Sequence, residues 1–412
     1  MRRTGVRYFF SEVFMKLQKL SLLSLCGLFL LPGFALASWI TRTPALRDTL
    51  SASTEEMGFI LFGFSSGAML GVLSSSKLIS IFHARIVILT GLLMLSAGLM
   101  VIGVSSTQQH MLSVFAGMVI FGVGLGWTEI AINVEGATTE KAIGRGLMTT
   151  LHGCFSLGTF VGAVTGMIFT AYQIPIERHL YLVSAFNMLL ALVLIIQAPQ
   201  NSRYSGTVKT GKSGLAAAFT ELKDPKLLII GFIVLAMALA EGAANDWLPL
   251  LMIDGHGFDE TSGTLIYAGF TLAMTIGRLS GGPVIRKLGK SMVVRLSALF
   301  AAAGLLMVIY SPFPEAAVAA VILWGLGASL GFPIAISAAA EGKGNSQIRV
   351  SIAATLGYVA FLVGPPMLGF IGEHNGLRLA MLPVMILVVI AFIIAPLIIN
   401  KEKKHIALKF IK

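Results

Sequence analysis

Glu129 and Asn133 stand four residues apart in an otherwise apolar run, and Glu241 and Asn245 repeat that spacing in another, with Asp246 alongside. Four residues is about one helical turn, so each acid shares a helix face with its amide. An acid and an amide on one face can hydrogen-bond a polar solute, and the acid can also exchange a proton. His152, inside a third apolar run, titrates near neutral pH when unperturbed. Arg42 could bind an anionic solute or pair with Asp246, and Trp39, Trp127 and Trp247 could stack on a sugar or another ring. Plainer readings exist for each: acids and a histidine stitching helices together, an arginine snorkelling to an interface, tryptophans anchoring one. The chemical reading gains weight from the setting, because ionisable groups at membrane depth are costly and mark functional sites by default.

Composition supplies that setting. Of 412 residues, 56% are hydrophobic and 12% charged, and mean hydropathy is +0.87. A soluble globular chain carries roughly 25% charged residues, so a soluble enzyme and a disordered chain are both excluded. Cys26 and Cys154 lie in apolar runs, which indicates neither a disulfide framework nor a metal site. Gly211-Lys212-Ser213 lacks the earlier glycine and the strand of a phosphate-binding loop, and no paired-histidine spacing for zinc occurs. The expectation is no enzyme, no cofactor and no metal.

A membrane helix needs about 20 apolar residues. Twelve such spans are expected, near 20–40, 57–78, 86–104, 111–132, 147–171, 180–198, 227–248, 263–285, 292–310, 316–337, 350–371 and 378–399. Residues 1–19 and 400–412 then form tails, and 199–226, rich in Ser, Gly, Thr and Lys, forms a linker between bundles 20–198 and 227–399. An alternative reads Met15 to Ala37 as a secretory signal ending in Ala35-Leu36-Ala37 before Ser38. With twelve spans, only Arg42, Arg47, Arg178 and Arg378 of the 30 cations fall on the side away from the termini. The positive-inside rule puts both termini in the cytoplasm. The net charge of +11 is thereby orientation, not nucleic-acid binding.

The halves partly repeat. Ala35-Leu36-Ala37 returns as Ala238-Leu239-Ala240, Gly71 as Gly277, Phe121-Gly122-Val123-Gly124 as Trp324-Gly325-Leu326-Gly327, and Arg145 as Arg349. Parallel six-helix repeats with a midplane site are a known transporter plan.

The stretch Gly277-Arg278-Leu279-Ser280-Gly281-Gly282-Pro283-Val284-Ile285-Arg286-Lys287-Leu288-Gly289-Lys290 resembles the cytoplasmic signature of the major facilitator superfamily. Its first-half counterpart, Gly71 to Arg85, keeps Lys77 and Arg85 but has Ile81 and His83 where the pattern has Arg and Gly. Residues 38–48, 131–137, 241–250 and 325–333 resemble an enterobacterial inner-membrane transporter in the fucose permease-like branch. The resemblance implies an all-α membrane fold of two pseudo-symmetric six-helix bundles, and secondary transport by alternating access. It implies a proton and sugar role for Glu129. That branch also uses an acid in span one, where Trp39-Ile40-Thr41-Arg42-Thr43 has none.

The expected substrate and proton site comprises Glu129, Asn133, His152, Glu241, Asn245, Asp246, Arg42 and Trp39, and the expected cytoplasmic gate Arg85, Glu135, Arg278 and Arg286. The partners are a small-molecule substrate, membrane lipid and protons, with no nucleic acid, and the chain is expected to be a monomer. Proton-driven uptake of a small polar, sugar-like metabolite leads. Drug or metabolite efflux is the alternative, since Gly158, Gly162 and Gly166 fit the antiporter glycine spacing although Ala163 and Met167 replace its proline and last glycine. A non-transporting membrane sensor is the reading from another class. Gly364-Pro365-Pro366 is an expected helix break or kink and a moving part in alternating access. A reporter fused after Lys412 should be active only in the cytoplasm; a periplasmic signal would overturn the span count.

Overall fold

The computed structural model describes residues 2–144, 146–198, 219–342 and 344–398, with side chains from Lys19 onward apart from Gln347 and Ile398. Arg145, Lys343, most of the expected linker and the C-terminal tail lie outside the described residues. The first half is α1 (Arg2–Ile40), α2 (Thr43–Leu50), α3 (Thr54–Thr107), α4 (Met111–Ile143), α5 (Met148–Ala171) and α6 (Ile176–Gln197). The second half is α7 (Pro225–His256), α8 (Glu260–Leu288), α9 (Lys290–Tyr310), α10 (Pro314–Ala340), α11 (Ser346–Asn375), α12 (Leu377–Ala380) and α13 (Leu382–Ile394), closed by a 3₁₀ turn at Ala395–Ile398. Local sequence sets several boundaries. Ser53 and Glu56 form a reciprocal capping box that opens α3, while Asp224 caps α7 and Asp259 caps α8.

Ten helical segments are long and apolar enough to cross a membrane. Two differences from the sequence expectation reconcile ten with twelve. Expected spans two and three are one element, α3, of 54 residues. At about 1.5 Å per residue a straight helix of that length would be over twice the roughly 30 Å hydrocarbon core. It does not run straight. A Cβ on Gly71 would stand 2.5 Å from the Val123 carbonyl oxygen, and one on Gly91 would stand 2.9 Å from that of Gly124. Both arms therefore clasp the same stretch of α4, and the chain folds back between them. The turn is at His83, where φ is 68° and ψ is 151°. The second difference is α8, whose Arg278, Arg286 and Lys287 lower its hydropathy although it packs among the other spans.

The repeat extends from sequence into contacts. A Cβ on Gly124 would strike the Leu95 amide and Gly91 carbonyl, and one on Gly327 would strike the Ala301 amide and Ser297 carbonyl. Gly71 meets Val123, and Gly277 meets Ser329. His83 corresponds to Gly289, which has φ 78° and ψ 156°. This is the same turn made once with glycine and once with histidine. The first helix is integral to this packing: Ala35, Ala37 and Ser38 are buried, and Gly158, Gly162 and Gly166 of α5 lie against Leu30, Phe34 and Thr41 of α1.

The loops carrying Lys and Arg define a basic face. There Arg349, buried, pairs with Glu221 at 3.0 Å and Asp224 at 2.7 Å, and its Nε donates to the Ala339 carbonyl at 3.1 Å. Burial opposes ionisation of Asp224, but Arg349 and the Lys226 amide outweigh it and hold its carboxyl below the ordinary range. A depressed carboxyl stabilises the fold above its unfolded pKa, and that contribution is lost only as pH falls through the lower folded value. Lys290 pairs with Glu341 and donates to Ser337 at 2.8 Å, so α9 is tied to the end of α10.

The conformation at His83 belongs to a region occupied almost only by glycine, where other residues cost about 1–3 kcal/mol. Replacing His83 with Gly should raise stability by about 1 kcal/mol once the entropy cost of glycine is subtracted. Gly289→His should lower it by a similar amount. Thermal unfolding in detergent checks both, and an unmoved or lowered midpoint for His83→Gly would contradict the strain.

Candidate functional site

Two helices from each half bring ionisable groups to mid-depth. Glu129 and Asn133 lie on α4, His152 and Ser156 on α5, Glu241, Asn245 and Asp246 on α7, and Tyr267, Thr275 and Arg278 on α8. The Arg278 guanidinium donates from Nη2 to the Glu241 carboxylate at 2.8 Å. Its Nη1 reaches across to the Ser156 hydroxyl at 3.4 Å. Thr275 stands at the same crossing, its hydroxyl shared between the Thr271 carbonyl of its own helix at 2.8 Å and the Ser156 carbonyl at 3.2 Å. Arg278 thus touches both halves at once.

Glu129 faces this pair. Its carboxylate lies in the field of Glu241 and Arg278, both from the other half, and Tyr358 of α11 lies in the field of Glu129. Glu129 is exposed and makes no hydrogen bond or ion pair among the described residues. Asn133, one turn along, has a buried side-chain oxygen with no partner among the described residues. His152 is also exposed, stands in the field of Arg278, and meets Phe29 edge-on at 5.8 Å. Tyr267 donates its hydroxyl to Asn245 at 3.2 Å. Asp246, one residue further round α7, is buried and shares its field with Tyr267. A carboxylate without a partner, beside an ion pair of the other half that also reaches Ser156 across the gap, can accept a proton or a solute hydroxyl.

Of the expected site, Glu129, His152, Glu241 and Asn245 come together, with Asn133 and Asp246 at the margins. Arg42 and Trp39 do not join them. Arg42, only 4% exposed, is held inside the first half by Thr170 at 2.8 Å and the Ile174 carbonyl at 2.6 Å, not by Asp246. Trp39 is core packing at 1% exposure. Trp127 donates to Ser74 at 2.8 Å, and Trp247 is buried against Gly369.

The four expected gate residues are not brought together. Arg278 belongs to the central pair, so it also leaves the tally of loop cations. Arg85 donates to the Ile196 carbonyl at 3.0 Å, Glu135 is buried, and Arg286 lies near the end of α8. Sequence reasoning missed Ser156, Tyr267, Thr275 and Tyr358. The one-turn spacing of Ser156 from His152 and the three-residue spacing of Thr275 from Arg278 were available signals; nothing nearby marked Tyr358.

The face opposite the basic one is sealed. A Cβ on Gly58 of α3 would stand 2.9 Å from the Pro365 carbonyl oxygen and 3.1 Å from the Gly369 Cα, both on α11. Arg47 pairs with Asp254 across the halves, and the Thr54 amide donates to Glu373 at 2.8 Å. The helix carries on through Pro365 and Pro366, so there is no break there, and this stretch is part of the surface on which the halves meet.

A helical architecture of two matched halves that meet at one face, with ionisable groups between them, is that of a membrane carrier. The Major Facilitator Superfamily model matches residues 22–346 and 247–409, and the chain belongs to that family of membrane transporters. It is 29% identical to the uncharacterized transporter y4wD of Sinorhizobium fredii, covering 90% of this chain and 96% of that one. An uncharacterized MFS-type transporter of Yersinia pestis is 28% identical over 85% of this chain and 89% of its own. Among solved structures, a point mutant of the nucleoside transporter NupG superposes with a TM-score of 0.73 at 16% identity, covering 92% of this chain and 100% of that one. A variant of the E. coli fucose:proton symporter FucP gives 0.62 at 17% identity, covering 92% and 98%. At those identities the structures share the fold.

A bulky side chain at Gly58 should wedge the seal apart. In a background without Cys26 and Cys154, Gly58→Leu should increase labelling of Asn245→Cys from the opposite face several-fold, using a membrane-impermeant thiol reagent. Equal labelling with and without the wedge would mean that this contact does not close the path.

Proposed function

We propose that this chain is a secondary active transporter that carries a small polar, sugar-like metabolite across the bacterial cytoplasmic membrane, driven by protons. The observation that carries the reading is Glu129, an exposed mid-depth carboxylate without a hydrogen bond or ion pair among the described residues. Such a group is costly in a membrane unless water, a proton or a substrate reaches it. Glu129 takes up the proton; Asn245, Tyr267, His152 and Asn133 supply hydrogen bonds to the solute; Arg278 and Glu241 link the site to both halves. The resemblance to the fucose permease-like branch supports the sugar-like substrate.

In this reading both termini and the basic face are cytoplasmic, the bundles are 20–198 and 227–399, and the protein works as a monomer. The sealed outer face then makes this the state that loads or releases on the cytoplasmic side. Gly158, Gly162 and Gly166 are occupied in packing α5 against α1, so their spacing gives efflux no separate support.

The test is transport in proteoliposomes. Glu129→Gln should abolish accumulation driven by a pH gradient while leaving substrate counterflow at a comparable rate. Unchanged accumulation would remove Glu129 from coupling, and ligand binding with no exchange in the wild type would sink the transport reading in favour of a sensor.

A further inference from the structure

We infer that Glu241 acts as a resident carboxylate on Arg278, and that the site in consequence selects uncharged polyhydroxy solutes and rejects carboxylated ones. The inference rests on the proposed transport site and names its substrate class. Arg278 is the one guanidinium brought to the central cluster among the described residues. A solute carboxylate entering that cluster would look to it for charge. Arg278 is already engaged: Nη2 meets Glu241 at 2.8 Å and Nη1 leans on Ser156 at 3.4 Å. The pair is only partly exposed, at 24% for the arginine side chain and 16% for the glutamate. The other open group is also an acid, Glu129, which is exposed without an ion pair among the described residues and lies in the field of the same two residues. A second carboxylate would have to displace Glu241 and lie beside Glu129, whereas a neutral polyol donates hydroxyl hydrogens to Glu129 and leaves the ion pair intact. Like charges desolvated together are how sites exclude a close analogue.

The filter can be inverted. In purified full-length protein, Glu241→Gln keeps the shape of the side chain and releases Arg278. The probes are D-galactose and D-galacturonate, which differ by one carboxylate, read by thermal shift and by counterflow in proteoliposomes. Galacturonate should leave the wild type unstabilised at both pH 5.5 and pH 7.5. Its apparent affinity should rise roughly tenfold, the size of one freed charge contact, in Glu241→Gln or in the Glu129→Gln/Glu241→Gln double variant. The latter guards against Arg278 swinging to Glu129. Adding Arg278→Gln to either should abolish the gain.

The filter is overturned if galacturonate stabilises the wild type at either pH, which the wild type decides whatever the variants do. It is also overturned if neither variant gains, or if the gain survives loss of Arg278. The transport reading fails separately: a variant that binds galacturonate but shows no counterflow, in line with a wild type that exchanges no neutral polyol, leaves the filter standing on a binding protein.

Discussion

Removing an ion from water into hydrocarbon costs far more than most single interactions return, and the inside of this protein is arranged around that cost. The basic groups are kept almost entirely to the loops and helix ends. Of the ionisable groups that remain at depth, Arg278 is paired with Glu241, Arg42 is held by Thr170 and the Ile174 carbonyl, and Glu129 and His152 stay exposed between the halves. The candidate site is therefore where these groups are, and they are tolerable there because Glu129 and His152 remain accessible to water. Were the halves packed together at Glu129 as tightly as they are at Gly58, the carboxylate would be dry and unpaired.

Tight packing elsewhere makes that opening possible. Close contact of Gly71 and Gly91 of α3 with α4, and of Gly327 of α10 with α9, packs the helices within each half tightly. The same device joins the halves at Gly58 and Gly369, and there the polar contacts Arg47–Asp254 and Thr54–Glu373 are near water and cheap to break. Rigid interiors with a weak seam at one face are what rocking of one bundle against the other requires.

The repeated turn tells something of how the two halves have diverged. Gly289 makes its reversal without steric penalty, whereas His83 makes the same reversal in a conformation that suits few side chains. The surrounding contacts of α3 with α4 hold it there. First-half packing thus sustains a turn that the second half obtains from the residue itself.

Much of the architecture was legible in the sequence. Apolar run length and the distribution of Lys and Arg pointed to twelve crossings and an orientation, because a bilayer imposes one length scale and one polarity on any chain that crosses it. The offsets of 203–206 residues revealed the repeat, and helical periodicity put Glu129 with Asn133 and Glu241 with Asn245. Partnership was not legible. Arg278 sits in a motif that reads as a loop anchor, and Arg42 reads as a group at the mouth, yet the first is the central cation and the second is locked to Thr170 and Ile174. Sequence spacing fixes which residues share a helix face. Which face meets which, across 37 residues from Glu241 to Arg278 or 122 from Ser156 to Arg278, is decided only when rotation and depth of separate helices are set by their mutual packing.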